Sequence, residues 1–530
     1  MSSELRRQNI ADLLRRSAAR YPNRVAIVCA QTCWTYAQFS ALCDRLATGL
    51  AAVGIAPSDR VAVLARNSHA FAALRFAVAR LGAVLVPVNF MLNAQEVRYI
   101  LQHSGARLLA TDSELTSIAR IAVAGTSIEQ SLWLPSEQFS SPEPGMLSFN
   151  EIAQCDGAPP EVDLGSGDIA QIIYTSGTES LPKGVVLTHE AIIHQYVSCI
   201  VDGEMSSDDR VLHSLPLYHC AQLDCFLGPS VYLGNTSIIT ALPMADNLLA
   251  LIAEHQITSF FAPPTVWISL LRSPHFDGSD LSSLRKGYYG ASIMPIEVLR
   301  EILRRLPAVR LWNFYGQTEI APLATVLRPE DQLRKSGSAG RPVLNVETRV
   351  LDDAMNDVKP GEVGEIVHRS PQLMQGYYKD EERTAQAFAG GWFHSGDLAR
   401  IDAEGYITIV DRIKDMIKSG GENIASREVE EVIYSMPQVS EVAVIGLPHP
   451  RWIEAVVAVV VVKPSEQLLE SQVMEHCAER LAHFKAPKGV IFVDALPKNP
   501  SGKILKRELR QRFANLIDPR LPTSEGLRST

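Results

Sequence analysis

Several common signatures are missing from these 530 residues, and each absence narrows the function. There is no excess of Lys and Arg: the formal net charge is −9, against the basic face that nucleic-acid binders present. No apolar run reaches membrane-spanning length. The longest, Ala455 to Val462, is far too short, and the stretch Phe71 to Leu92 is broken by Arg75 and Arg80. The first 24 residues lack the apolar core of a signal peptide and read as an amphipathic helix with Ile10, Leu13 and Leu14 on one face. The eight cysteines include no CxxC pair and no zinc-like spacing, so reduced thiols in a cytoplasmic setting are expected. Internal repeats and low-complexity tracts are also lacking. The sequence thus predicts no transmembrane segment and no nucleic-acid partner. What remains is an ordinary globular composition, 46% hydrophobic and 21% charged, in a chain too long for one core of about 250–300 residues.

Most of the first four hundred residues alternate between strand-like and helical patterns. "RVAVLARN" and "GAVLVPVN" read as buried strands around the helical "AFAALRFAVARL", the rhythm of a parallel sheet covered by helices. The rhythm recurs around "QIIYTSG", "TSIITAL" and "SFFAPPT". Near Pro360 it gives way to short strands joined by Gly-containing turns, "KPGEVGEIVHRS" and "EGYITIVDR", which suggest a small barrel or β layer. From Asp415 a compact α+β unit is predicted. It has a helix through Val429, Val432, Ile433 and Met436, strands in "SEVAVIGL" and "EAVVAVVVV", a helix near Val473 to Leu481, the strand "GVIFVDAL" and a closing helix. The boundary is placed within Val410 to Met416.

Four stretches carry candidate chemistry. "YTSGTESLPKG" gathers small and hydroxyl residues around Gly177 and ends on Lys183-Gly184, as a phosphate-holding loop would. Pro182 stands where a Walker A loop has glycine, and Gly184 where it has Ser or Thr. "LWNFYGQTEIAPL" sets Thr318 beside Glu319, a hydroxyl for a phosphate oxygen next to a carboxylate for Mg²⁺, with Tyr315 able to stack on a base and Asn313 to read its edge. "GWFHSGDL" places Asp397 after Gly396, where it can accept from a ribose diol. "LPKNPSGKILKREL" projects Lys503 from a Pro-Ser-Gly turn ahead of a helix. Alone, each has a bland explanation: a polar turn, an exposed strand end, Gly-turn chemistry and a solvated lysine.

Together and in this order, the motifs "YTSGTESLPKG", "LPLYH", "YGQTE", "GWFHSGD", "DRIKDMIKSGGENI" and "PKNPSGKILKREL" resemble the acyl-adenylate-forming superfamily. Within it the chain looks most like bacterial fatty-acyl-CoA synthetases, and the resemblance covers nearly the whole chain. It implies an α/β fold with a large N-terminal domain (1–411) of two helix-covered β-sheets plus a distorted β-barrel. A hinge (412–414, with Lys414 at the pivot) would join it to a small mobile α+β C-terminal domain (415–530). It also implies an ATP-dependent carboxylate–CoA ligase. A fatty or other hydrophobic acid would become acyl-AMP with release of pyrophosphate, and the acyl group would then pass to the thiol of CoA with release of AMP. ATP, Mg²⁺ and CoA are the implied cofactors and co-substrates, and a homodimer is compatible with this reading.

Residue by residue, the resemblance assigns Thr175, Ser176, Gly177, Thr178 and Lys183 to the pyrophosphate portion of ATP. Thr318 falls to the α-phosphate, Glu319 with Thr178 to the metal, and Asp397 with Arg412 to the ribose. Tyr315 would pack on the base beside Asn313, Gly290, Ala291 and Ser292, and Phe314, Gly316, Gln317 and Ile409 fall to the ATP site as well. Lys503 would bridge the substrate carboxylate and the α-phosphate. Lys418, Ser419, Gly420, Gly421 and Glu422 would meet CoA after the small domain swings. His219 would gate an acyl pocket made of Cys220, Gln222, Phe260, Phe261, Trp267, Tyr289 and Gly290. His219 also reads as a satisfied core histidine, and Asp224 as a solvated or helix-linked carboxylate or an anchor for an amino group. Glu179-Ser180 replaces the family's Thr-Gly, losing a position that tolerates positive φ and adding a negative charge near polyphosphate. A functional loop with altered ATP affinity is expected. A non-catalytic acyl-nucleotide binder, an enzyme loading an acyl carrier protein and a luciferase-like oxygenase remain the alternatives.

Overall fold

The computed structural model describes residues 8–138, 141–175, 182–292, 294–419, 422–464, 466–498 and 504–514. The opening helix, Ile10–Arg20, forms because Asn9 and Asp12 cap it reciprocally. The Asp12 N–H donates to Asn9 Oδ1 at 2.9 Å, and the Asn9 N–H donates to Asp12 Oδ2 at 3.2 Å. Its face of Ile10, Leu13 and Leu14 is buried, as the spacing predicts. The strands Arg60–Leu64 and Val84–Pro87 pair in parallel around the crossover helix His69–Leu81. Ser68 caps that helix at its start, and Gly82, at φ +72°, ends it.

Two large sheets dominate the first part of the chain. Among the described residues, one has eight strands and centres on Ile169–Thr175, Val84–Pro87 and Arg60–Leu64. The other has nine and centres on Arg310–Gly316, Lys286–Gly290, Ser259–Phe261 and Arg210–His213. Helices cover both. The layer expected as a distorted barrel is a four-stranded antiparallel sheet of Glu347–Leu351, Val363–Arg369, Phe393–Ile401 and Ile407–Arg412. The bridge of Gly340 to Ile407 joins it to the segment that edges the nine-stranded sheet. Sheet membership changes between Arg412 and Ile417. Beyond it lies a five-stranded sheet built on the paired strands Val439–His449 and Ile453–Val462, with helices Ser426–Tyr434, Glu470–Arg480 and Lys506–Phe513. No described helix is long and apolar enough to cross a membrane.

The large domain is pinned by a polar cluster in its interior. Arg75, 1% exposed on its crossover helix, donates from Nη2 to Asp224 Oδ1 at 3.1 Å. Asp224 also accepts from Gln171 Nε2 at 2.7 Å and from the Tyr196 hydroxyl at 3.3 Å. Asp224 is therefore neither solvated nor free to anchor a substrate amine, correcting the reading from sequence. Burial pushes its carboxyl up while the Arg75 charge pulls it down, the balance expected of a buried ion pair.

Four buried histidines make the fold sensitive to acid. Burial lowers His189, His213 and His368 to about 3 and His69 to about 4. In each, one buried ring nitrogen has no hydrogen-bond partner, so an imidazolium, which donates from both nitrogens, would bury an unmet N–H. Because an unfolded histidine titrates near 6.5, the stability from holding these rings neutral is complete above that pH and is lost as pH falls towards 4 and below. Together they should steepen the loss to about 5 kcal/mol per pH unit once well below 6.5. Urea unfolding at pH 7.5, 6 and 5 measures this; equal midpoints at all three would refute it.

Candidate active site

Three strands of the two large sheets, Ile169–Thr175, Lys286–Gly290 and Arg310–Gly316, end at one cavity of ≈ 650 Å³, and Thr175, Ala291, Ser292 and Gly316 line it. Carboxyl ends of strands are where α/β sheets hold ligands, because the chain turns there and leaves backbone groups outside the ladder. At one wall Thr175 and Lys183 are cross-strand partners, so antiparallel pairing fixes the lysine at the mouth of the intervening loop. Of the loop residues, Ser176, Gly177 and Thr178, with Glu179 and Ser180, lie outside the described residues. Lys183 Nζ sits 4.8 Å from the centre of the Tyr377 ring. The hydroxyl of Tyr377 donates to Glu319 Oε1 at 3.1 Å, and burial, then the Glu319 charge, raises that phenol's pKa.

Thr318 and Glu319 stand in the short 3₁₀ turn Thr318–Ile320, reached through Gly316 and Gln317. A Cβ on Gly316 would lie 1.8 Å from the carbonyl oxygen of Pro322, so only glycine lets the chain double back here. Gly290 is similarly pressed, its Cβ position 2.3 Å from Phe314 O, and Ala291 directly after it takes φ +63°. Thr318 Oγ1 meets the Cys220 sulfur at 3.3 Å, and burial pushes the Cys220 thiol well up, keeping it neutral.

On the opposite wall, Asp397 and Arg412 are cross-strand partners in the four-stranded sheet, with Arg412 Nε 3.2 Å from Asp397 Oδ1. Tyr315 donates to the other oxygen, Oδ2, at 2.7 Å. Burial first and the Asp397 charge second raise the Tyr315 pKa, so it stays a donor. Asn313 holds the Ser338 carbonyl at 3.0 Å, and Phe314, Gln317 and Ile409 complete this side.

Of the residues assigned to the acyl pocket, His219, Cys220 and Phe261 line the cavity; Gly290 does not line it but directly precedes Ala291, which does, and Gln222, Phe260, Trp267 and Tyr289 point elsewhere. Phe260 packs edge-on against Trp267 in the core on the other face of the nine-stranded sheet. Tyr289 in that same core donates to Gln332 Oε1 at 2.6 Å, and Gln222 bonds His213 at 2.8 Å. Strand alternation corrects Phe260 and Tyr289, since Phe261 and Tyr288 face the cavity side; the helical Gln222 and Trp267 are turned into the core by their own packing, and Ala221, Cys225 and Phe226 are added from the helical turns after His219. His219 caps the turn at Cys220, accepting the Ala221 N–H at Nδ1.

The C-terminal unit contributes residues that sequence reasoning missed. Arg427, Glu430 and Lys506 line the cavity beside Asp411 and Arg412. Asp411 accepts from the Ser426 N–H and hydroxyl, both at 2.7 Å. Lys506 donates to Ser426 Oγ at 2.6 Å and pairs with Glu430 at 2.7 Å. Lys418, Ser419 and Glu422 sit away from the cavity on a small hairpin in which Ser419 pairs with Glu422; Gly420 and Gly421 lie outside the described residues. Lys503 is likewise outside them, and of Lys414 only the backbone, in the turn Ile413–Asp415, is described.

Gly316→Ala tests the geometry directly. The clash falls on backbone, which cannot rotate away, so the turn carrying Thr318 and Glu319 must shift. Nucleotide affinity by calorimetry should fall by at least about tenfold, with an unfolding cost of about 1–3 kcal/mol. Unchanged binding would show that the doubled-back turn does not position these side chains.

Comparison with known proteins places this cavity in context. The model of the AMP-binding enzyme family matches residues 14–378, and that of the AMP-binding enzyme C-terminal domain matches 428–503. A feruloyl-CoA synthase of an Amycolatopsis species is 37% identical over 509 residues, covering 96% of this chain and 100% of the relative. A long-chain-fatty-acid–CoA ligase of Mycobacterium tuberculosis is also 37% identical, over 96% of this chain and 99% of its own. Among solved structures, an anthranilate CoA ligase in complex with anthranoyl-AMP superposes with a TM-score of 0.87 at 27% identity, covering 95% of this chain and 97% of that one. From this combination of matched length, shared fold and clustered motifs, the chain belongs to the AMP-binding enzyme family.

Proposed function

We propose that the protein is an AMP-forming carboxylate–CoA ligase acting on a hydrophobic acid. The observation that carries this reading is the meeting, in one cavity, of Lys183 with Thr175, Thr318 with Glu319, and Asp397 with Arg412. Those three pairs suit the pyrophosphate, α-phosphate and ribose of one ATP molecule. Feruloyl-CoA synthase and the fatty-acid and indoleacetate CoA ligases among its relatives support CoA as acceptor.

In this reading the Asp397 carboxylate accepts the ribose hydroxyls, and Arg412, 3.2 Å away across the strand pair, holds it in direction. Lys183 meets the phosphates as a point charge. The hard oxygen donors at Glu319 fit Mg²⁺, an ion usually held by one or two carboxylates together with substrate phosphates. When bound, the ion supplies charge neutralisation. Bringing a carboxylate up to a phosphate joins two anions, and Lys503, carried on the C-terminal unit, offsets that repulsion. The unit spanning 415–530 then turns about residues 412–414, withdrawing Lys503 and presenting the 418–422 hairpin for the thiol step. Gly420 and Gly421 give the narrow pantetheine arm room there.

The experiment is AMP formation from ATP, Mg²⁺ and CoA across a panel of carboxylic acids, alongside acid-dependent pyrophosphate exchange. Lys503→Ala should slow exchange by about 10²–10³-fold, the scale for one preorganised electrostatic group. Equal exchange in wild type and variant, near background, would favour a non-catalytic binder. Asp397→Asn removes the charge partner of Arg412 and an acceptor for the ribose, so KM for ATP should rise by roughly tenfold or more. An unchanged KM would remove Asp397 from the ribose site.

A further inference from the structure

We propose, resting on the ligase reading above, that the acid is compact and aromatic, and that Phe226 is the residue that sets this limit by flooring the acyl pocket. Once the nucleotide occupies the walls at Lys183, Thr318 and Asp397, the remaining apolar end of the cavity is bounded by Ala221, Cys225, Phe226, Phe261 and Leu323. Phe226 is the centre of this end. Its ring stacks on Phe261 with centroids 4.4 Å apart at 15°, lies offset from Phe314 at 5.8 Å and 18°, and meets Tyr288 edge-on at 5.2 Å. Those three partners come from three adjacent strands of one sheet, so the floor has the rigidity of the ladder behind it.

The turn that carries Phe226 is π-helical, Leu223–Leu227, a geometry that recurs at functional sites. It sends Asp224 into the buried Arg75 cluster while Cys225 and Phe226 face the cavity. Behind the floor the described residues are close-packed. A Cβ on Gly228 would fall 2.0 Å from the Tyr196 ring, and one on Gly203 would fall 2.9 Å from Phe314 Cζ. The Tyr288 hydroxyl closes the back by donating to the Gly203 carbonyl at 2.7 Å. A flexible alkyl chain of many carbons needs a channel continuing past this point, and the floor of stacked rings blocks it. A planar ring one to three carbons from the carboxylate ends against the small part of Phe226 and Phe261 that lines the cavity, and packs there without needing a channel beyond it.

The test is kcat/KM for AMP formation by the full chain, with ATP, Mg²⁺ and CoA saturating, for phenylacetic, 3-phenylpropanoic and cinnamic acids against dodecanoic and hexadecanoic acids. Wild type should favour the best aryl acid over hexadecanoic acid by about 10²-fold or more, given the steepness of single-methylene discrimination in apolar pockets. Phe226→Ala, and the milder Phe226→Leu, should shift that ratio towards the alkyl acids by at least about tenfold. The wild-type ratio stands whether or not either variant folds. Hexadecanoic acid matching or beating the aryl acids overturns the inference while leaving the ligase reading intact, and so does a ratio unmoved in a folded Phe226 variant. If no acid yields AMP, the ligase reading falls and takes this inference with it.

Discussion

The pairing of Asp397 with Arg412 is the constraint on which the rest of the site depends. The two are cross-strand neighbours, so their 3.2 Å contact is set by β-sheet register rather than by two flexible side chains finding each other. The carboxylate is 5% exposed, receives Tyr315 on its second oxygen, and is thereby fixed in direction. Arg412 is also the last residue of its strand before the chain passes to the C-terminal unit. Its neighbour Asp411 engages Ser426 at the start of the first C-terminal helix, so adjacent residues on one strand bind the large domain and the small one. Any rotation of the small unit about this point must first give up the Asp411 contacts, while the Asp397 contact can persist through it. In the proposed two-step reaction, one short segment would thus separate the part that stays still from the part that turns.

How far the chain could be read without coordinates depends on whether a local period decides the question. The βαβ elements, the amphipathic opening helix and the strands after Pro360 each carry their own periodicity, and each stands where the spacing predicted. The acyl pocket shows the opposite case. Phe260-Phe261 and Tyr288-Tyr289 are adjacent aromatic pairs in strands covered by helices on both faces. Such strands are apolar on both sides, so hydrophobicity cannot say which partner faces the ligand. The structure turns Phe261 and Tyr288 to the cavity side and Phe260 and Tyr289 to the other core. Gln222 misleads differently: a glutamine beside a candidate pocket looks like a ligand contact, but it satisfies His213 and the Leu215 N–H inside the fold. Arg427 and Lys506 were illegible for a third reason. Their place at the cavity comes from packing between units, which leaves no trace in local spacing.

The Arg75–Asp224 cluster shows how stability and pocket shape are joined. Burying that pair is costly, and breaking it by removing one partner would strand a charge, typically a loss of about 3–5 kcal/mol. The cluster draws on the crossover helix, on Gln171 in the strand that ends at Thr175, on Tyr196 and on the π turn. Since Asp224 and Phe226 share that turn, the ion pair that anchors one also sets the height of the other. A change in the core polar cluster is therefore felt at Phe226 on the cavity wall, although none of its charges touches the cavity.

An acidic protein still has to hold a polyanion, and the arrangement of its cations resolves the difficulty. Arg412 and Lys506 sit in ion pairs with Asp397 and Glu430, which makes them structural first. Lys183 rests instead over the Tyr377 ring. A ring face attracts an ammonium group without taking its hydrogen bonds, whereas a carboxylate partner would neutralise it and occupy its donors. The same tyrosine turns its hydroxyl to Glu319, so a single aromatic side chain contacts Lys183 with its ring and Glu319 with its tip. Were Tyr377 replaced by a flexible residue, Lys183 and Glu319 would be drawn into direct contact and would cancel. In the proposed function, their separation would leave one charge for the phosphates and the other for the cation that accompanies them.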